Sequence, residues 1–223
     1  MYEMYRILKE EIENKTGSIT INLNGVSEII FAKDIIGNSI QSWLSSWFEQ
    51  KGIEYRSPLN SQEFPDYILK FNEKEYFLEI KAFFKAQGPA FDIANFNSYI
   101  DTLYENPLKI DADYLIFAYD THETGFVISD IYLKKVWEIT GKSIKYPLKL
   151  QVKKNIVYNI RPASFHSKRK ISPDFENQYD FIDALVETKK LFFDQGTRIN
   201  DIDTWKKTLL NNYNHLKTEQ KTN

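Results

Sequence analysis

Two acidic residues and a lysine in the first half of the chain have the types and spacing that metal-assisted phosphodiester chemistry requires. Asp66 is followed 13 residues later by Glu79 and 15 residues later by Lys81, in the stretch FPDYILKFNEKEYFLEIKAFF. In a β-strand, residues two apart point to the same face, so Glu79 and Lys81 would emerge together while Ile80 points into the core. A hairpin turn at residues 72–74 would bring Asp66 roughly opposite Glu79 and Ile80. Two carboxylates and one amine would then face a common point.

Such a cluster is suited to a hard divalent cation. Mg²⁺ takes oxygen ligands, usually one or two carboxylates together with waters and substrate phosphate oxygens. Asp66, Glu79 and the carbonyl oxygen of Ile80 could supply the protein's share, and other divalent cations such as Mn²⁺ could replace Mg²⁺. The metal would polarise a phosphate and acidify a bound water, and Lys81 would orient that water or stabilise the developing charge. We therefore expect Mg²⁺ as the cofactor.

A second copy of the same spacing shows that spacing alone does not identify the site. Asp174 also follows a proline, and 13 residues after it comes Glu187, with Lys189 two positions further on. The surrounding YDFIDALVETKKLFF has the pattern of a helix, in which residues two apart diverge by roughly 200°. EYFLEIKAFF around Glu79 has the pattern of a strand. We therefore predict the site at the first copy; the alternative there is a polar strand edge with a cross-strand ion pair.

The elements that would position the triplet are those of an α/β domain. A long helix from about Ser27 to Gln50 precedes the hairpin, and its predicted buried stripe is Ile36, Ile40, Trp43, Leu44 and Trp47. The predicted elements after the hairpin are a helix over 93–104, strands over 112–120, 125–133 and 155–160, and helices over 134–140, 178–193 and 203–216. This order predicts one domain over residues 1–223 with a central mixed sheet flanked by helices.

Composition excludes several classes of protein. The chain has 223 residues and no cysteine, which excludes disulfides, thiolate metal sites and cysteine nucleophiles. It begins MYEMYRILKEEIE, without the pattern of a signal peptide, and has no apolar run long enough for a membrane span. We therefore expect a cytoplasmic protein with no membrane partner.

Positive charge is concentrated in one segment. Residues 142–170 hold nine Lys or Arg and no Asp or Glu, which leaves 20 basic and 31 acidic residues elsewhere. Such a segment can neutralise DNA phosphates or read base edges, and the alternative is a solvated basic loop and strand. Two more candidates, Lys85 and Gln87, follow the predicted catalytic strand. The candidate DNA-binding residues of the basic segment are Lys153, Lys154, Arg161, His166, Lys168, Arg169 and Lys170.

The order of helix, hairpin with PD and ExK, helix and buried strand resembles the core of the PD-(D/E)XK nucleases over roughly residues 27–135. The whole layout resembles a small type II restriction endonuclease, with NIRPASF and its basic neighbours similar to the target-reading parts of such enzymes. The resemblance implies a restriction-endonuclease-like fold and Mg²⁺-dependent, sequence-specific hydrolysis of double-stranded DNA. It also implies that Asp66 and Glu79 are metal ligands, that Lys81 is the catalytic lysine, and that a cognate DNA methyltransferase is a functional partner.

The chain departs from this family in one place. Many members add an acidic residue on the helix before the hairpin, often four positions after a glycine, whereas here Gly37 is followed by Gln41. Asp34 and Gln41 lie on one face of the predicted helix and are candidate accessory residues. The alternative is that this face is simply polar and solvated.

Cutting both strands of a short symmetric site needs two active sites, and a chain of this size carries one, so we expect a homodimer. The predicted helix at 178–193 could form its interface. Two other functions remain open from the sequence. The chain could be a nuclease of the same fold acting on structured or damaged DNA, or a catalytically inactive DNA-binding module.

Overall fold

The structure is a computed structural model that describes residues 1–58, 63–169, 172–196 and 199–222. The chain divides into two compact units: unit 1 comprises residues 1–89 and 113–134, and unit 2 comprises residues 90–112 and 135–223. Each unit is assembled from two separated segments, so neither corresponds to one continuous stretch of sequence. The single domain over residues 1–223 stays a prediction.

α-Helices and β-strands are interspersed along the chain. The α-helices are α1 (Tyr2–Ile12), α2 (Lys33–Gln50), α3 (Phe96–Glu105), α4 (Val136–Ile139), α5 (Gln178–Leu191) and α6 (Ile202–Thr222). The strands are β1 (Thr16–Gly17), β2 (Thr20–Leu23), β3 (Val26–Ile29), β4 (Glu54–Arg56), β5 (Tyr67–Phe71), β6 (Lys74–Phe84), β7 (Ala94–Asn95), β8 (Asp113–His122), β9 (Gly125–Lys135), β10 (Leu150–Lys153) and β11 (Ile156–Ile160). Short 3₁₀ helices occupy Lys85–Gln87 and Pro107–Asp111.

A six-stranded sheet in the order β1-β9-β8-β6-β5-β4 forms the centre of unit 1. β6 and β8 run parallel, whereas β5 pairs antiparallel with both β4 and β6, so the sheet is mixed. The first seven residues of β8, Asp113–Tyr119, are all buried, as expected of a strand within a sheet that has a parallel pair. α1 and α2 pack their buried residues against the sheet in one hydrophobic cluster. The predicted mixed α/β architecture is confirmed.

The hairpin between β5 and β6 sets the register of the candidate site. Asn72 and Glu73 both have positive φ, at 49° and 63°, the conformation of a two-residue type I′ turn whose twist matches the flanking strands. Tyr67 pairs with Leu78 in the resulting ladder. One residue beyond that pair, Asp66 therefore lies opposite Glu79.

The predicted start of the long helix is wrong. α2 begins at Lys33, not at Ser27, because Val26–Ile29 forms a strand that pairs with Thr20–Leu23. The turn between these two strands is Asn24-Gly25, with φ values of 48° and 79°. Asn-Gly is the strongest short-range hairpin signal, and it outweighs the helical spacing of the residues that follow.

The predicted buried stripe of α2 is confirmed except at Trp43, which is 43% exposed. Trp43 lies at the edge of the stripe and flanks a groove described below. The buried members are Ile36, Ile40, Leu44 and Trp47, and Phe48 joins them.

We predict that Leu44→Ala lowers the free energy of unfolding by about 2–5 kcal/mol, because Leu44 is fully buried and its removal leaves a cavity under the sheet. Urea denaturation followed by circular dichroism measures the change. Ser46→Ala, at an exposed position of the same helix, is the control and should change the free energy by less than about 0.5 kcal/mol. A loss below about 1 kcal/mol at Leu44 would contradict the packing described here.

Unit 2 contains a three-stranded sheet, β10-β11-β7, together with α3, α5 and α6. The second copy of the acid-and-lysine spacing lies on α5, as predicted. Glu187 is exposed, whereas Lys189 is 1% exposed and donates to the carbonyl oxygens of Phe192 and Gln195 just after the helix. Lys189 therefore caps the end of α5, and the two side chains do not meet.

None of the helices in the described parts of the chain combines the length and the apolar content needed to cross a bilayer.

Candidate active site

Asp66 and Glu79 are fixed to each other by a pair of hydrogen bonds across the β5–β6 hairpin. The backbone N–H of Ile80 donates to Oδ2 of Asp66 at 2.7 Å. In return, the backbone N–H of Asp66 donates to Oε2 of Glu79 at 3.2 Å. Each carboxylate thus binds the backbone beside the other, which holds the two acids side by side.

Lys81 reaches the same point from the same strand. Its Nζ lies 2.8 Å from Oε1 of Glu79, and the side chains of Lys81 and Glu79 are 21% and 10% exposed. Ile80, between them, is buried in the hydrophobic cluster of unit 1. The alternation expected of a strand is therefore present, and the structure brings Asp66, Glu79 and Lys81 together.

α2 contributes the fourth polar side chain. Nε2 of Gln41 donates to Oδ1 of Asp66 at 2.9 Å. The family pattern has an acidic residue at this position, where this chain has Gln41. The Gln41 side chain nevertheless contacts Asp66, the predicted metal ligand. The other accessory candidate, Asp34, has a side chain that lies outside the described part of the structure.

Two hydroxyl groups that the sequence reasoning missed attach α2 to the hairpin. The Tyr67 hydroxyl donates to the backbone oxygen of Gln41 at 2.7 Å, and Oγ of Ser45 lies 2.6 Å from the same hydroxyl. Ser45 is one helical turn after Gln41, so both face the hairpin. That spacing, together with a tyrosine directly after Asp66, is the signal that could have identified them.

Burial dominates the electrostatics of the two acids. It is the main reason that the pKa of Glu79 rises to about 7; the positive charge of Lys81 opposes this rise, and the negative charge of Asp66 adds to it. Burial also raises the pKa of Asp66, against the lowering effects of the Ile80 N–H, Lys81 and Gln41. Two neighbouring acids with raised pKa values form a site that favours added positive charge, either as protons or as a cation.

The carboxylates of Asp66 and Glu79 fit a hard divalent cation. A carboxylate oxygen has two lone pairs, so an oxygen of Asp66 or Glu79 that accepts one hydrogen bond can still contact a cation. No group of three or more His, Cys, Asp or Glu side chains suited to a metal occurs within residues 1–58, 63–169, 172–196 and 199–222. The carboxylates of Asp66 and Glu79 are oxygen donors, the type of ligand that hard divalent cations take together with water and phosphate oxygens.

The candidate DNA-binding residues of unit 1 directly follow β6. Lys85 and Gln87 are exposed on the 3₁₀ turn after β6. Nζ of Lys85 lies 2.8 Å from Oδ2 of Asp130. DNA phosphate would have to compete with this surface ion pair, which is of the kind worth about 0–1 kcal/mol.

The candidate DNA-binding residues of unit 2 differ in their exposure to solvent. Lys153, Lys154, Lys168 and Arg169 are exposed, whereas His166 is half-buried. Arg161 pairs with Asp92 and donates to the carbonyl oxygen of Ala90 at 2.9 Å. The Arg161 guanidinium therefore holds the segment around Ala90 in this structure. Lys170 lies outside the described residues.

Comparison with known proteins gives consistent matches along the chain. The family model described as NgoBV restriction endonuclease matches residues 1–222. The type II restriction enzyme NlaIV of Neisseria lactamica is 40% identical over 202 residues, which cover 89% of this chain and 82% of that protein. The type II restriction enzyme NgoBV of Neisseria gonorrhoeae is 36% identical over 148 residues, which cover 66% of this chain and 84% of that protein.

Among solved structures, the NlaIV restriction endonuclease superposes with a TM-score of 0.84 at 35% sequence identity. The superposition covers 97% of this chain and 89% of that chain. The similarity in sequence and in structure therefore extends over both units.

Proposed function

This chain belongs to the NgoBV restriction endonuclease family, and on that premise we propose that it hydrolyses duplex DNA at a specific short sequence in a Mg²⁺-dependent reaction at Asp66, Glu79 and Lys81. The observation that carries the proposal is the pair of hydrogen bonds joining Asp66 and Glu79, with Lys81 bound to the second acid. Two acids and an amine on adjacent strands are the parts that phosphodiester hydrolysis requires.

In the proposed mechanism, Asp66, Glu79 and the Ile80 carbonyl would hold the cation, which would supply polarisation of the scissile phosphate and a more acidic water. Lys81 places an ammonium group beside these ligands, where it orients the attacking water and stabilises the charge that develops on the phosphate. Gln41 fixes the orientation of the Asp66 carboxylate through Oδ1. Glu79 must be deprotonated for these steps.

DNA would be held by the exposed basic residues on both units. Lys153, Lys154, Lys168 and Arg169 are suited to phosphate contacts, and Lys85 and Gln87 follow the catalytic strand. Each phosphate neutralised by a lysine or arginine steepens the fall of affinity with salt. We further propose a homodimer, because cleavage of both strands needs two sites, and a cognate methyltransferase that protects host DNA.

Digestion of phage or plasmid DNA of known sequence, with Mg²⁺ or with EDTA, tests the proposed function. Discrete fragments with Mg²⁺ and intact DNA with EDTA are the expected result. Fragments of all lengths, or cleavage confined to branched or damaged substrates, would instead indicate a nuclease without sequence specificity. DNA binding without cleavage in any divalent metal would indicate a non-catalytic module.

Proton release should accompany metal binding. Because burial raises the pKa of Glu79 to about 7, Mg²⁺ must displace a proton from this side chain below neutral pH. We predict that Mg²⁺ binds about tenfold more tightly at pH 8 than at pH 6. Titration calorimetry in two buffers of different ionisation enthalpy measures both the affinity and the protons released. An affinity that does not change with pH would contradict the prediction.

Gln41 should act as a positioning residue. We predict that Gln41→Ala lowers the cleavage rate about 10- to 100-fold, as is usual for residues that orient a metal ligand, because the carboxylate of Asp66 loses its contact with α2. The Mg²⁺ concentration for half-maximal rate should rise while DNA affinity stays the same. Ser42→Ala, at an exposed position next to Gln41, is the control. An unchanged Mg²⁺ requirement would assign Gln41 no role in positioning.

A further inference from the structure

The hairpin formed by β2 and β3 has an apolar face that the described residues of the chain leave exposed. Ile21 pairs with Glu28 and Leu23 pairs with Val26, so these four side chains lie on one face of the hairpin. The exposed fractions of Ile21, Leu23 and Val26 are 53%, 74% and 69%. An isolated two-stranded hairpin is marginally stable in water, and three exposed apolar side chains on one face need an explanation.

A groove opens at the base of this hairpin. It has a volume of about 350 Å³ and is lined mainly by apolar side chains, among them Ile12, Ile19, Ile40, Trp43, Phe126 and Ile128. The backbone N–H of Ile30 donates to the oxygen of Ile19 at 2.8 Å, which continues the ladder of the hairpin by one step. Ile19 therefore lies on the same face as Ile21 and Leu23, and the apolar face runs into the groove.

We propose that this hairpin and groove form the surface through which two copies of the chain pair, with the tip of each hairpin docked in the groove of the other. The need for two copies rests on the proposed function, since one chain carries one candidate site. Two identical contacts made at once give an isologous, closed dimer. The tip cannot fill its own groove, because four strand residues, about 13 Å, separate Leu23 from Ile19.

Charge favours a second copy over DNA as the occupant. Residues 19–32 contain no Lys or Arg and one acidic residue, Glu28, so this surface would not attract phosphates. Lys15 is the charged residue among those that line the groove within the described part of the chain. Glu28 on the face and Lys15 in the groove have opposite signs, so the two surfaces are complementary when they belong to different copies.

The surface approaches the size of a standard interface. The apolar face contributes four residues, the turn at Asn24 and Gly25 two, and the groove 11, which makes 17 residues against the roughly 20–30 that each side contributes to a standard interface. In the interface predicted from sequence, at residues 178–193, Phe181, Ile182, Ala184, Leu185 and Val186 are buried within unit 2. Its exposed apolar residues are Tyr179, Leu191 and Phe193, which lie at the two ends of the segment and do not form one continuous face.

The test compares two added charges on opposite faces of the same strand. In sedimentation equilibrium of the full chain, the wild type should be a dimer. Leu23→Asp should raise the dimer dissociation constant at least ~100-fold, because it buries a carboxylate in each of two symmetric contacts. Asn22→Asp adds the same charge one residue away on the polar face, where Ser27 already donates to Asn22, and should remain a dimer.

Two further measurements distinguish loss of the dimer from loss of the fold. At protein concentrations low enough for the chains to be monomeric, both variants should have the melting temperature of the wild type. Trp43→Ala, which adds no charge, should also weaken the dimer. A monomeric wild type, a dimeric Leu23→Asp variant, or equal dissociation by both aspartates would overturn the proposal. These outcomes do not depend on DNA cleavage. An enzyme that cuts DNA but pairs elsewhere would refute only this surface, and a hairpin-dependent dimer that cuts no DNA would refute only the proposed function.

Discussion

Replacing Lys81 with methionine should reduce the rate of DNA cleavage by about 10²–10³-fold or more while leaving DNA affinity nearly unchanged. The ammonium group lies 2.8 Å from Glu79, where it can stabilise charge that develops only in the transition state, and loss of one such donor commonly costs this factor. Asp66→Ala should be at least as severe because it removes a proposed metal ligand. Single-turnover cleavage of a labelled duplex and a binding assay in Ca²⁺ separate the two effects.

The chain supplies its own matched control for this experiment. Glu187→Gln changes the acid of the second copy of the spacing, which is exposed on a helix, and Lys207→Met removes an exposed lysine of α6. Both variants should cut DNA at the wild-type rate. Retained cleavage in both Lys81→Met and Asp66→Ala would refute the site.

The second prediction with a large effect is a gain in stability when a buried acid is replaced. We expect Glu79→Gln to abolish cleavage and yet to make the metal-free protein more stable than the wild type at pH 8. Burial raises the pKa of Glu79 from 4.5 to about 7, so the folded protein prefers the neutral side chain. Glutamine resembles that neutral form in size and has no proton to lose.

The direction of this change in stability follows from the number of protons bound by the folded and the unfolded protein. Between the two pKa values, the folded protein holds a proton on Glu79 that the unfolded chain has lost, so the free energy of unfolding falls as pH rises. This stabilisation is fully present below about pH 4.5 and is lost by about pH 7. From pH 5 to pH 8, the wild type should lose about 2–3 kcal/mol relative to Glu79→Gln.

Urea denaturation in EDTA at pH 5 and pH 8 measures this difference. Adding Mg²⁺ at pH 8 should restore much of the lost stability to the wild type, because the metal binds the folded state and compensates the buried charge. The Glu187→Gln variant should follow the wild type at both pH values because Glu187 is exposed. A difference between wild type and Glu79→Gln that stays constant with pH would contradict the electrostatic account.

Local signals in the sequence were sufficient to locate the central hairpin. The turn at Asn72 and Glu73, the strand pattern around Glu79 and the helix pattern around Glu187 each depend on residues close together in the chain. The turn fixes the register, and the register places Asp66 opposite Glu79. This is why the predicted juxtaposition appears in the structure.

Those local signals do not predict contacts between segments that are far apart in the chain. The bond from Gln41 to Asp66 spans 25 residues, and the pairing of Arg161 with Asp92 spans 69. The start of α2 was misplaced because a competing Asn-Gly turn forms a separate hairpin. Trp43 was assigned to the core from spacing alone, although the groove beside it leaves its ring 43% exposed.

The sequence by itself determined the mixed α/β class, the juxtaposition of Asp66, Glu79 and Lys81, and the difference between the strand copy and the helical copy of their spacing, because strand and helix periodicity are local properties. Only the tertiary structure decided the burial that raises the pKa of Glu79, the attachment of Gln41 to Asp66 and the exposure of the apolar face of the β2–β3 hairpin. Those features depend on how segments far apart in the chain pack together, and periodicity carries no information about that packing.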